Sequence, residues 1–186
     1  MRELKIFLGQ IGSGKDYSAN LLGDYAHISL ADPIRELAWA LLGWKPKDFE
    51  EYEKFKEGKT YVPNFGFVVG RIFLQNLGSE LRKRNENYWC EQWSQSISNE
   101  TQEKMVCSDC RFPNEVWVSM RLPEDINVEF IWCCYESQKF LTNRNDKHET
   151  EKFAKFLSTR GLQHGEVIIR PKMVEYLLEY KKLIGE

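Results

Sequence analysis

Apolar positions along the chain alternate between short continuous runs and helical spacing, and that alternation predicts a mixed α/β fold. Leu4 to Leu8 is an apolar run that stops at Gly9, as a buried parallel strand does. A helix is expected from Lys15 to about Leu22 and a second strand from Tyr25 to Leu30. Asp32-Pro33 reads as an N-cap followed by proline at the first helical position. Ile34, Leu37, Ala38, Leu41 and Leu42 then set an apolar stripe on that helix. Helical character returns at Asp48 to Lys56 and again from Arg71 to Lys83, where Ile72, Leu74, Leu77 and Leu81 form the expected buried set. Tyr88 to Ile97 continues in helical style. Strands are expected over Lys104–Ser108, Val128–Cys133 and Glu166–Ile169. The intervening helices open at Pro113-Asn114-Glu115 and run over Glu149–Leu157 and Met173–Ile184.

Strands alternating with helices imply an α/β parallel sheet with right-handed crossovers, in one domain spanning 1–186. Two stretches depart from the alternation. The region of about 45–66 is rich in charge and aromatics and reads as an insertion covering a cleft. The region of about 136–148 is polar and basic and reads as a lid. Composition adds exclusions. A formal charge of −2 over 186 residues gives no reason to expect bulk binding to a nucleic-acid backbone. No apolar run reaches the roughly 20 residues of a membrane helix. The N-terminus enters a strand pattern directly and does not resemble a signal peptide. Five cysteines, an odd number in a chain too large to need staples, suit a reducing, cytoplasmic setting.

The candidate chemistry starts at Gly9-Gln10-Ile11-Gly12-Ser13-Gly14-Lys15-Asp16, which fits G-x-x-x-x-G-K between a strand and a helix. Glycines at Gly9, Gly12 and Gly14, with Ser13 among them, let backbone N–H groups converge on phosphate oxygens, and Lys15 adds a point charge. Asp16 stands where a hydroxyl residue usually binds Mg²⁺. A carboxylate is also a hard oxygen ligand for that ion. Asp109 follows an apolar strand, at the end where open parallel sheets bind ligands, and Arg111 is two residues on. Arg71 begins a helix after Gly70. Lys139, Arg144, Lys147 and His148 populate the basic stretch, where cations could clamp transferring phosphates. Trp44, Tyr52, Tyr61, Tyr88 and Trp89 are candidates to stack on a base. Cys107-Ser108-Asp109-Cys110 is a C-x-x-C, but a zinc site needs four converging thiolates, and Cys107 fits a buried strand position. His27 and His164 carry no role in this chemistry.

Several segments in order resemble the deoxynucleoside monophosphate kinases of bacteriophages. They are Ser13-Gly14-Lys15-Asp16, Ala31-Asp32-Pro33-Ile34-Arg35, the Arg71–Glu80 helix with Leu74-Gln75, Tyr88-Trp89, Asp109-Cys110-Arg111-Phe112-Pro113-Asn114-Glu115, and His148-Glu149-Thr150-Glu151. The resemblance implies a P-loop NTPase fold of three layers, α/β/α, with a five-stranded parallel sheet and a lid, like the nucleoside monophosphate kinases. It implies Mg²⁺-dependent phosphoryl transfer from ATP to a deoxynucleoside monophosphate, hence a role in deoxynucleotide metabolism. Gly9, Gly12, Ser13, Gly14 and Lys15 would hold the ATP phosphates, with Asp16 and Asp109 beside the metal. Arg71, Gln75 and Trp89 would face the acceptor, and Arg111 the phosphate crevice. The implied partners are small-molecule nucleotides, with no nucleic acid and no membrane; a homodimer, in the host cytoplasm, is compatible with it. Two departures stand out. Cys133-Cys134-Tyr135 replaces an arginine that the family often shows after the fourth strand. Arg170-Pro171 stands where an asparagine often meets adenine. A phosphomevalonate kinase-like enzyme and a non-catalytic nucleotide-binding module remain alternatives.

Overall fold

The computed structural model describes residues 1–62, 66–134 and 149–185. The chain divides into two compact units. The first comprises Met1–Leu30 and Ser94–Glu186, and the second comprises Ala31–Trp93.

The first unit is built on a five-stranded sheet in the order β2-β5-β1-β6-β7. Its strands are β1 (Arg2–Leu8), β2 (Ala26–His27), β5 (Lys104–Cys107), β6 (Ile126–Trp132) and β7 (Val167–Ile168). β1 is central and runs parallel to both neighbours, with Glu3 opposite Lys104 on one side and Asn127 on the other. β2 is parallel to β5, but β7 runs antiparallel to β6. The sheet is therefore mostly parallel, which corrects the expectation of an all-parallel one. Burying a central strand on both faces removes nearly all its apolar surface from water, the largest favourable contribution to folding. Leu4, Ile6, Phe7 and Leu8 of β1 and Met105, Val106 and Cys107 of β5 are accordingly all buried. β6 alternates instead: Ile126, Val128, Phe130 and Trp132 are buried while the residues between them are more exposed. Helices α1 (Lys15–Asn20), α6 (Pro113–Ser119), α7 (Glu149–Ser158) and α8 (Arg170–Ile184) belong to this unit. α7 and α8 meet through Tyr180, whose ring lies edge-on to Phe153 at 5.2 Å and to Phe156 at 5.3 Å.

The second unit holds α2 (Asp32–Leu42), α3 (Phe49–Glu57), a hairpin of β3 (Lys59–Val62) and β4 (Gly66–Val69), and α4 (Gly70–Arg84). Helix α5 (Tyr88–Asn99) runs across the boundary between the units in sequence. The core of this unit is Ala38, Trp39, Leu42, Phe55, Val62 and Phe73. Two buried positions differ from the expected stripes. Trp39 is buried on α2 while Leu41 is exposed, and Phe73 is buried on α4 while Ile72 is exposed. In each case the larger aromatic ring takes the interior position, where it removes more apolar surface from water. The described residues of the stretch of about 45–66 belong to this unit, as α3 and the paired strands β3 and β4. Asp48 caps α3 by accepting from Glu51 N–H at 2.9 Å, as an N-cap aspartate should.

Candidate phosphate-binding site

The segments following β1, β5, β2 and β6 bring the candidate residues together at the carboxyl ends of parallel strands. After Leu8 the chain turns through Gly9 at φ +153°, a conformation that side chains rarely adopt. A Cβ there would also collide with the carbonyl oxygen of Cys133, just past β6, and with the Ser13 hydroxyl. Only glycine lets the loop leave the sheet this closely. Gly14, at φ +84°, then provides the N-cap position of α1.

Lys15 begins α1 and folds back into the loop. Its Nζ donates to the carbonyls of Gly9 and Gln10, each at 2.7 Å. The side chain is buried, and burial together with the nearby Arg111 guanidinium holds its ammonium below the ordinary lysine value. Glu151 and Asp16 pull it the other way. Ser13 N–H closes a turn onto Gln10 O at 3.1 Å. Among the described hydrogen bonds, none occupies the backbone N–H groups of Gly12, Gly14 or Lys15. The loop thus combines a fixed cation with backbone donors that no described bond uses, which is an anion-binding arrangement.

Asp16 is exposed in the first turn of α1, and its Oδ1 accepts from the Ser108 hydroxyl at 2.6 Å. Ser108 follows β5, so this contact joins the first and second site segments. Asp109 behaves differently from expectation. Its carboxylate accepts from the Ser29 hydroxyl, from Leu30 N–H at 2.9 Å and from the Cys107 thiol at 3.3 Å. It clamps the end of β5 to the segment after β2. As a proposed metal ligand it is thus already engaged by protein donors, whereas Asp16 is exposed and makes one described side-chain bond. Arg111 is exposed, and its backbone is fixed by Glu115, whose buried carboxylate accepts from Arg111 N–H at 2.7 Å and Phe112 N–H at 3.0 Å. Proline at the start of α6 followed by a glutamate in its first turn is the sequence signal for that cap.

The residues expected on the acceptor side lie in the second unit. Arg71 and Gln75 are both exposed on α4, four residues apart and so on one face. Arg71 is paired with Glu57 at the end of α3, and the pairing raises the arginine's already high value and lowers that of the glutamate. Trp89 is corrected from its expected role. It is buried, with 3 % of its surface exposed, and its Nε1 donates to Gly78 O at 2.8 Å. It braces α5 against α4 and offers no open face for stacking.

Lys139, Arg144, Lys147 and His148 lie outside the described residues. The five cysteines are free thiols, and no cluster of three or more metal-ligating side chains occurs among the described residues. No helix among them is long and apolar enough to cross a membrane. Sequence reasoning gave no role to Ser29, Ser108, Glu115 or Glu151, although the last two fall within its quoted segments. No model of a known protein family matches the chain, and no curated protein matches it either.

Proposed function

We propose that the protein is a deoxynucleoside monophosphate kinase, transferring the terminal phosphoryl group of ATP to a deoxynucleoside 5'-monophosphate. The observation that carries this reading is the loop from Gly9 to Lys15, with Lys15 buried inside it and Asp16 bonded across to Ser108. A loop of this form supports the donor side, and the acceptor assignment rests on the resemblance of the later segments. In this reading the loop N–H groups and Lys15 hold the donor phosphates, and Arg111 adds a second cation at the same crevice. Lys15 exchanges its contacts with the Gly9 and Gln10 carbonyls for phosphate oxygens, at little cost because it is already oriented. Arg71 and Gln75 receive the acceptor, whose phosphate competes with Glu57 for the guanidinium.

Mg²⁺ fits the hard oxygens of Asp16 and Ser108, since this ion commonly takes one or two carboxylates and fills its remaining positions with phosphate and water. When bound, it would neutralise charge on the phosphates. Asp109 holds the Ser29–Leu30 segment against β5 and so supports the site from behind. There is little covalent chemistry for the chain to perform, and positioning with charge neutralisation carries the rate.

The test is a coupled ADP-release assay with ATP and Mg²⁺ against a panel of deoxynucleotides, ribonucleotides and phosphomevalonate. Turnover of a deoxynucleoside monophosphate is the expected result. Turnover of phosphomevalonate alone would move the acceptor to the alternative class, and ATP binding without any turnover would make the chain a binding module.

A further inference from the structure

The phosphate loop is held from outside as well as from within. Ile11 N–H donates to Oε2 of Glu151, in the first turn of α7, at 2.8 Å. Ile11 lies between Gln10, whose carbonyl is taken by Lys15 and Ser13, and Gly12, whose N–H, like those of Gly14 and Lys15, no described hydrogen bond uses. Its side chain is 55 % exposed, so packing does little to fix this part of the loop. A charge-assisted bond from a carboxylate is among the stronger restraints available to a backbone N–H. The same carboxylate is the foremost group favouring the charged form of the buried Lys15.

We propose that Glu151 is a positioning residue for the phosphate loop, bracing its tip through Ile11 N–H so that the loop is set before phosphates arrive. This rests on the reading of Gly9–Lys15 as a nucleotide site. Two effects of the carboxylate oppose each other. Its charge repels a polyphosphate, while the brace removes in advance the entropy cost of ordering the loop on binding. Ordering outweighs repulsion here because the carboxylate faces Ile11 N–H and is offset by the Lys15 ammonium.

The test compares Glu151→Ala with Glu151→Gln in the full chain, using two readouts. The first is amide hydrogen exchange at Ile11 without nucleotide, followed by NMR. The second is the Kd for MgATP by calorimetry. Removal of the acceptor in Glu151→Ala is expected to speed exchange at Ile11 and to weaken MgATP binding, each about tenfold, the scale of one charge-assisted hydrogen bond. Glu151→Gln keeps an acceptor oxygen and is expected to stay within about threefold of the parent in Kd. Tighter binding in both variants would overturn the proposal, because Glu151 would then be a competing anion. Unchanged exchange at Ile11 in Glu151→Ala would also overturn it. If the parent protein binds no MgATP, the nucleotide reading fails, and the exchange rate at Ile11 alone upholds or overturns the brace.

Discussion

Replacing Gly9 with alanine tests whether the departure of the loop from the sheet is as tightly determined as the geometry says. Two costs add. A side chain at φ +153° is strained, by about 1–3 kcal/mol. The new Cβ would also run into the carbonyl oxygen of Cys133, which cannot swing aside as a flexible side chain could. Cys133 is anchored through its own N–H to Leu8 O at 2.7 Å, in the last register of the β1–β6 pairing. Overpacking of this kind costs a further 1–3 kcal/mol or so. The sum, about 4 kcal/mol, corresponds to a fall in melting temperature of about 8–16 °C for a chain of this size. Gly161→Ala is the control. It carries positive φ, +71°, but nothing lies within 4 Å of its added Cβ. Its cost is the left-handed backbone alone, about 1–2 kcal/mol. Both variants would be followed by thermal unfolding monitored by circular dichroism at several scan rates. If Gly9→Ala melts no lower than Gly161→Ala, the close approach of the loop to β6 is wrong.

Lys15→Ala is expected to lower ADP release at least about a hundredfold, on the scale of losing an electrostatic donor, while the protein stays folded; near-normal turnover would mean the loop does not hold phosphates. Trp89→Phe keeps one aromatic ring but removes the indole N–H that the Gly78 carbonyl accepts from and leaves a small cavity, and urea unfolding should show a loss of at least about 1–2 kcal/mol. Tyr25→Phe probes a linked proton. The Tyr25 hydroxyl donates to Glu3 Oε2 at 2.6 Å and is the main cause holding the Glu3 carboxyl below its ordinary value, with Lys5 assisting against burial. A depressed carboxyl contributes stability above the ordinary glutamate value of about 4.3 and loses it as pH falls through the folded-state value. The variant should therefore be less stable than the parent at pH 7, with the gap narrowing at acid pH; a gap that is constant with pH would rule out the linkage.

The parts of this molecule that sequence carries are those fixed by neighbours in sequence. The loop from Gly9 to Lys15 is legible because its glycines, its lysine and the flanking strand and helix are contiguous. The proline at the start of α6 is legible for the same reason, whereas the cap expected at Asp32 falls one residue earlier, on Ala31, and the cap at Asp48 shows in sequence only as helical character. The hairpin of β3 and β4 was missed because its pairing, Tyr61 opposite Phe67, sits inside a stretch whose charge obscures any alternation. The direction of β7 was unreadable, since an apolar run carries no sign for parallel or antiparallel pairing. Within helices the period was right but the phase slipped where aromatic residues, Trp39 and Phe73, took the interior. At the site, Asp16 and Asp109 look equivalent in sequence. Only contacts from distant residues separate them: Ser29 and Leu30 engage Asp109 in a clamp, while Asp16 accepts from Ser108 and stays exposed.

The order of the strands also dictates an order of assembly. β1 is the first element of the chain, yet its two partners, β5 and β6, are among the later ones, and the whole of Ala31–Trp93 lies between β2 and β5. Closing a loop of that length must precede any strand pairing of β1, whereas the second unit is continuous and can gather its own core early. During synthesis β1 therefore waits without a strand partner until β5 has emerged, and gains its second only when β6 follows. The Gly9–Lys15 loop is made well before the groups that shape it, since the Cys133 carbonyl that packs against Gly9 and the Glu151 carboxylate that holds Ile11 both arrive later still. A nascent chain would therefore carry this loop without its Ile11 brace until Glu151 had been made.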